Sequence, residues 1–190
     1  MSLQLKILLA SSAFMALPAL AAQDGCPQGS YTVVVAPDNS SLSILFDQFQ
    51  LNASPAGNAG PQRKQCQISH PLNLPANMSL GVYKVDYRGF AKLAPGQESA
   101  LEVQYALGPH GNEHGRVFKR KVKGAHDADY FFTETIGGGQ MKRVGCGADA
   151  KLNVTMALEL NGAGDAMVSL DSSDIKGAAM VYHFRLKKCT

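Results

Sequence analysis

Apolar residues recur at every second position through most of this chain. Leu152, Val154, Met156, Leu158 and Leu160 alternate with Asn153, Thr155, Ala157 and Glu159. Leu101, Val103, Tyr105 and Leu107 alternate with Glu102, Gln104 and Ala106, and Met180, Tyr182, Phe184 and Leu186 with Val181, His183, Arg185 and Lys187. Tyr83, Val85 and Tyr87 oppose Lys84, Asp86 and Arg88, and Cys66 and Ile68 share a phase with Leu72. Side chains along a strand point to opposite faces in turn, so a period of two marks strands with one buried face. Further strands are expected over 31–36, 42–49, 116–122, 130–134 and 166–170. The 42–49 stretch also fits a helical stripe through Leu42, Leu45, Phe46 and Phe49; its β-rich flanks favour the strand. Residues 52–63, with two Pro and two Gly, read as a loop. About ten short strands without interleaved helices predict an all-β fold, an antiparallel sandwich or jelly roll.

The N-terminus predicts a compartment. One positive charge, Lys6, precedes an apolar run from Ile7 to Leu17; Pro18 breaks it, and Ala19-Leu20-Ala21 offers small residues at the cleavage positions. The run is too short to span a bilayer, which takes about 20 residues. Residues 1–21 are therefore expected to be a signal peptide, and 22–190 a single secreted domain, periplasmic if the source is Gram-negative. Of 18 Lys and Arg against 15 Asp and Glu, only Lys6 falls in the export segment. So weak a basic balance points to neither nucleic acid nor a membrane surface, and no further stretch is apolar enough to cross a membrane. Four cysteines in an exported chain predict two disulfides among Cys26, Cys66, Cys146 and Cys189. Three connectivities exist; proximity in sequence favours Cys26–Cys66 with Cys146–Cys189. No C-x-x-C pair suggests zinc or redox chemistry.

A set of blocks runs in order along the chain: Gly25-Cys26-Pro27-Gln28-Gly29-Ser30, residues 42–49 (LSILFDQF), Arg63-Lys64-Gln65-Cys66-Gln67-Ile68, and Val85-Asp86-Tyr87-Arg88-Gly89-Phe90. Cys146-Gly147, residues 170–174 (LDSSD) and residues 182–189 (YHFRLKKC) complete it. Together they resemble the secreted family known as domain of unknown function 4360, found in bacteria and fungi. The resemblance implies an exported β-rich domain whose cysteines are structural, and it implies no activity. The chain departs from the family pattern at Leu186, where Trp is common, and over 108–128.

Two groups of residues are candidate ligand sites. Asp86 and Arg88 lie two apart on one strand face, where they can pair with each other or face a sugar or carboxylate, with Gly89 supplying a bulge or a close backbone approach. Lys119, Arg120 and Lys121, in the run 118–123 (FKRKVK), can grip an anionic envelope polymer by charge, or protect an edge strand from mispairing. His110 and His114 sit in a Gly- and Pro-rich stretch that prearranges no metal geometry, and Asp171 and Asp174 flank a Ser-Ser turn, so no metal site is assigned. Four N-x-S/T matches, at Asn39, Asn52, Asn77 and Asn153, are read as chance.

No G-x-S-x-G or H-E-x-x-H is present, no S-x-x-K with its partner motifs, and no cofactor motif. Asp47, Asp86, Glu102 and Glu134 offer carboxylates for glycoside hydrolysis, and nothing in the sequence selects two of them. The leading expectation is a non-catalytic module that binds carbohydrate or cell-envelope material. The alternatives are an extracellular hydrolase using carboxylates or a metal, and an inhibitor-like interaction protein.

Overall fold

A computed structural model describes residues 23–55, 60–108, 114–170 and 178–190. The expected export segment, His110, the side chain of His114 and the pair Asp171 and Asp174 lie outside the described residues. Among those described there are thirteen strands: β1 (Gln23–Asp24), β2 (Tyr31–Val35), β3 (Ser41–Phe46), β4 (Gln50–Ala53), β5 (Gln62–Leu72), β6 (Met78–Leu93), β7 (Glu98–Gly108), β8 (His114–Lys123), β9 (His126–Thr135), β10 (Val144–Gly145), β11 (Ala150–Asn161), β12 (Ala166–Ser169) and β13 (Met180–Lys188). No helix long and apolar enough to cross a membrane occurs among them.

The strands form two sheets. One has five strands in the order β1-β5-β11-β7-β8, and the other has eight, built around β6. All pairings are antiparallel except the short β1–β5 contact. The inward positions of the alternating segments meet in one core. Ile44, Val85, Met156, Leu158, Met180 and Tyr182 are completely buried in it. Each of the aliphatic and methionine side chains among them contributes about 1.5–3 kcal/mol by leaving water. The all-β sandwich expected from the two-residue period is the fold observed, and 42–49 is strand as far as Phe46. Three short strands, β1, β4 and β10, were not expected. At two to four residues they are too short for alternation to register, and β4 and the start of β5 take both ends of the expected 52–63 loop.

β6 organises the eight-stranded sheet. Along one edge it pairs with β13 over Met78–Tyr87 and then with β12 over Phe90–Lys92; along the other it pairs with β10 and then β9. The handover from β13 to β12 occurs at Gly89. There the Tyr130 hydroxyl donates a 2.7 Å hydrogen bond to the Ser169 carbonyl, and a Cβ at position 89 would collide with both groups. The close backbone approach read from the sequence is present.

The disulfides are Cys26–Cys66 and Cys146–Cys189, and no described cysteine is free. The first fastens the chain after β1 to β5 in the five-stranded sheet. The second joins the ends of β10 and β13, which flank β6. The cross-linked residues are 40 and 43 apart, a loop length worth about 4 kcal/mol per bridge in the chain-entropy model.

Candidate functional site

The outward side chains of β6, β9 and β13 share the outer face of the eight-stranded sheet. The ladder places Thr133, Asp86, Val181, Ser43 and Val34 in one row across five strands. Phe131 stands directly opposite Arg88, and His183 opposite Lys84. A register shift between His183 and Phe184 makes Tyr83 an extra residue in β6. Such a bulge re-aims side chains locally, and Tyr83 lies beside the His183 ring with centroids 6.0 Å apart.

Asp86 is the hub of this face. Its Oδ1 accepts from Thr133 Oγ1 at 2.6 Å, and its Oδ2 accepts from Lys84 Nζ and faces His183 Nε2, both at 2.8 Å. Burial pushes the carboxyl up, but the hydrogen bonds from Lys84, Thr133 and His183 outweigh it and hold Asp86 below its ordinary value. The Asp86–Arg88 ion pair is therefore not the arrangement found. Arg88 instead lies 5.6 Å over the ring of Phe131, its cross-strand neighbour. Directly opposed side chains on adjacent strands are closer than residues two apart along one strand. Arg185 makes a similar stack, 5.2 Å over Tyr83.

The basic run is divided by the same alternation. β8 is an edge strand of the five-stranded sheet. Lys119 and Lys121 point outward and pair with Glu102 and Glu98, each at 2.6 Å. Arg120 points the other way and meets Glu134 of β9 at 2.5 Å, tying the edges of the two sheets together. All three cations are engaged with carboxylates inside the molecule.

The four candidate carboxylates are dispersed. Asp47 lies in the turn after β3, Asp86 on one outer face, Glu102 on the other, and Glu134 is buried between the sheets. Near Glu134 the core holds several phenols. Burial, reinforced by the Glu134 charge, raises Tyr87 far above its ordinary value, and burial pushes Tyr105 up to about 12. Among the described residues, no three His, Cys, Asp or Glu side chains converge to hold a metal.

Sequence reasoning missed His183, Thr133, Phe131 and Arg185 as companions of Asp86. All lie at polar or outward phases of strands that had been located, but only cross-strand register brings them together.

The fold defines a class: an antiparallel β-sandwich in which each sheet is stapled by its own disulfide. The chain belongs to the family described as Domain of unknown function (DUF4360), which matches residues 22–189, as the ordered blocks of the sequence suggested. It is also similar to an uncharacterized secreted protein of the fungus Arthroderma benhamiae. The two are 27% identical over 169 residues, covering 87% of this chain and 68% of the relative.

Proposed function

We propose that this protein is an exported binding module that holds carbohydrate on the outer face of its eight-stranded sheet and performs no chemistry there. The observation that carries the reading is the pairing of rings with guanidinium groups around Asp86. Phe131 is 56% exposed beneath Arg88, and Arg185 covers Tyr83. An exposed ring offers an apolar surface to the C–H face of a sugar. A planar guanidinium offers a fork of donors to its hydroxyls or carboxylate. Asp86 has both oxygens occupied within the fold, so its part is to position Lys84, Thr133 and His183 rather than to touch ligand. Export is supported by the N-terminal segment, by the two disulfides and by the secreted fungal relative. Lys119, Arg120 and Lys121 draw less support as a polyanion site, because each is already neutralised by a glutamate.

The test is binding of the oxidised protein to an array of glycans and envelope polymers at low and physiological salt. Salt-resistant binding to a defined glycan is expected. It should weaken about tenfold in Arg88→Ala and in Phe131→Ala and be kept in Lys119→Ala/Lys121→Ala. A blank array removes this reading. Salt-labile binding to anionic polymers alone, abolished by the lysine variant, moves the site to β8.

A further inference from the structure

A cleft of about 310 Å³ opens on the same outer face, beyond Arg88, where β4, β12 and the end of β6 lie side by side. Its floor is Phe90, Met167 and Ser169, and its rim is Asp47, Gln48 and Gln50 from the turn between β3 and β4. Each part has a local cause. β3 ends at Phe46, and Phe49 then turns back into the core, 1% exposed and 5.2 Å from the Phe46 ring. Phe90 and Met167 take the outward phase of their strands, between buried neighbours.

The rim backbone is held from three sides. The Asp47 amide donates to the Ser30 carbonyl at 3.0 Å, the Phe49 carbonyl accepts from the Leu170 amide at 3.0 Å, and the Gln48 carbonyl accepts from Lys64 Nζ at 2.8 Å. The floor is held by the bond from Tyr130 to the Ser169 carbonyl. Yet the side chains of Asp47, Gln48 and Gln50 are exposed and make no hydrogen bond to any described residue. The cleft is thus preformed, with one carboxylate and two carboxamides exposed at its rim beside Phe90 and Met167. Small-molecule sites are usually about 300–1,000 Å³, largely apolar and fixed by a few polar groups; this cleft lies at the small end.

The chemistry of the lining narrows the ligand. Asp47 is the single charged group among the described lining residues and would repel an anion, while the nearby ammonium of Lys64 is occupied by the Gln48 carbonyl. One carboxylate is too few for a hard cation, which takes six to eight oxygens. A carboxylate accepts from two adjacent hydroxyls, and a carboxamide both donates and accepts. A neutral ring with hydroxyls on its edge and an apolar face satisfies all of these groups at once.

We infer that this cleft is a subsite for one neutral sugar residue, with Asp47, Gln48 and Gln50 reading its hydroxyls and Phe90 and Met167 packing its apolar face. The inference rests on the carbohydrate reading of the outer face and adds to it where selectivity resides. Met167 provides a reporter. Met167 lines the cleft, whereas Met156 and Met180 are completely buried in the core. The experiment is NMR of protein carrying isotope-labelled methionine methyls, titrated with glucose, galactose, mannose and N-acetylglucosamine. A saturable shift of the Met167 resonance with one of these sugars is expected, with Met156 and Met180 unmoved. Asp47→Asn and Gln50→Ala, both at exposed positions, should weaken that sugar at least tenfold while the core methyl spectrum stays native. A Met167 signal that stays still with every sugar, or a shift unchanged in both variants, overturns the inference. The array separates the two proposals. Glycan binding that ignores the cleft variants leaves the outer-face reading standing without the subsite. A Met167 response to a sugar in Arg88→Ala and Phe131→Ala, with array binding unaffected by those two variants, leaves the subsite standing alone.

Discussion

The two outer faces of the sandwich are built by the same alternation and end in opposite states. On the five-stranded sheet three cations meet acids: Arg63 pairs with Glu159, Lys119 with Glu102 and Lys121 with Glu98. On the eight-stranded sheet one acid, Asp86, gathers Lys84, Thr133 and His183, while Arg88 and Arg185 lie on aromatic rings. Among the described residues, three of the four exposed large apolar side chains, Val34, Leu45 and Phe131, belong to this second face, and Val117 belongs to the first. Exposed ion pairs cancel charge and contribute about 0–1 kcal/mol each. They make a solvated surface. Uncancelled guanidinium groups over exposed Phe131 and half-buried Tyr83 leave donors and apolar area available to a ligand.

The contrast can be tested from its largest consequence downward. Each sheet carries one disulfide, so Cys26→Ala/Cys66→Ala and Cys146→Ala/Cys189→Ala should each lower unfolding stability by about 4 kcal/mol in denaturant titrations. Only the second should also impair glycan binding, since it frees the β10 and β13 ends beside β6. Equal binding by both variants would break the link between that bridge and the face. Next, Asp86→Ala leaves a lysine, a histidine and a threonine without their shared acceptor and should cost roughly 2 kcal/mol. Glu102→Ala, at an exposed pair, should cost less than about 0.5 kcal/mol. Similar losses at the two positions would show that the faces do not differ as described.

Acid titration separates the two sheets further, with His70 at an inward position of β5 opposite buried Leu152 and Asp86 on the outer face of the other sheet. His70, on the five-stranded sheet, has its pKa lowered from 6.5 by burial. Its neutral form is favoured by the fold, so its contribution is present above 6.5 and is lost as pH falls through the lowered value. Asp86 is also depressed, so its contribution is present above about 3.9, the unfolded value, and is lost as pH falls through the folded one. His70→Gln should flatten stability against pH in the first window only, and Asp86→Asn in the second only. The smallest expected change in stability is that of Phe131→Ala, within about 0.5 kcal/mol. It should nonetheless weaken glycan binding about tenfold, as loss of an anchoring aromatic does. If binding survives Phe131→Ala, the ring is ordinary exposed surface.

Much of the fold was legible because its strands are long and half-buried. β11, β7 and β13 announce themselves by strict alternation over seven to nine residues, and the family blocks carry all four cysteines. The short strands β1, β4 and β10 did not, because two to four residues contain too few alternations. The site was legible only in part. Asp86 and Arg88 were located, and their shared outward phase was correct. Their partners were not legible, because Thr133, Phe131 and His183 lie 43 or more residues away in sequence, and sequence spacing carries no cross-strand register. The basic run misled for the same reason: it looks uniform along the chain, but alternation sends Arg120 inward to Glu134 and the lysines outward to Glu102 and Glu98.

By itself the sequence determined the secondary-structure class, the buried face of each long strand and the presence of two staples. Those properties follow from local periodicity and composition, which act within a few residues. Tertiary structure decided which charges cancel, which rings remain exposed and where the Asp47–Gln50 turn meets Phe90 and Met167. Those outcomes depend on register and sheet order, which are set by burial of the whole core and by the handover of partners along β6 at Gly89.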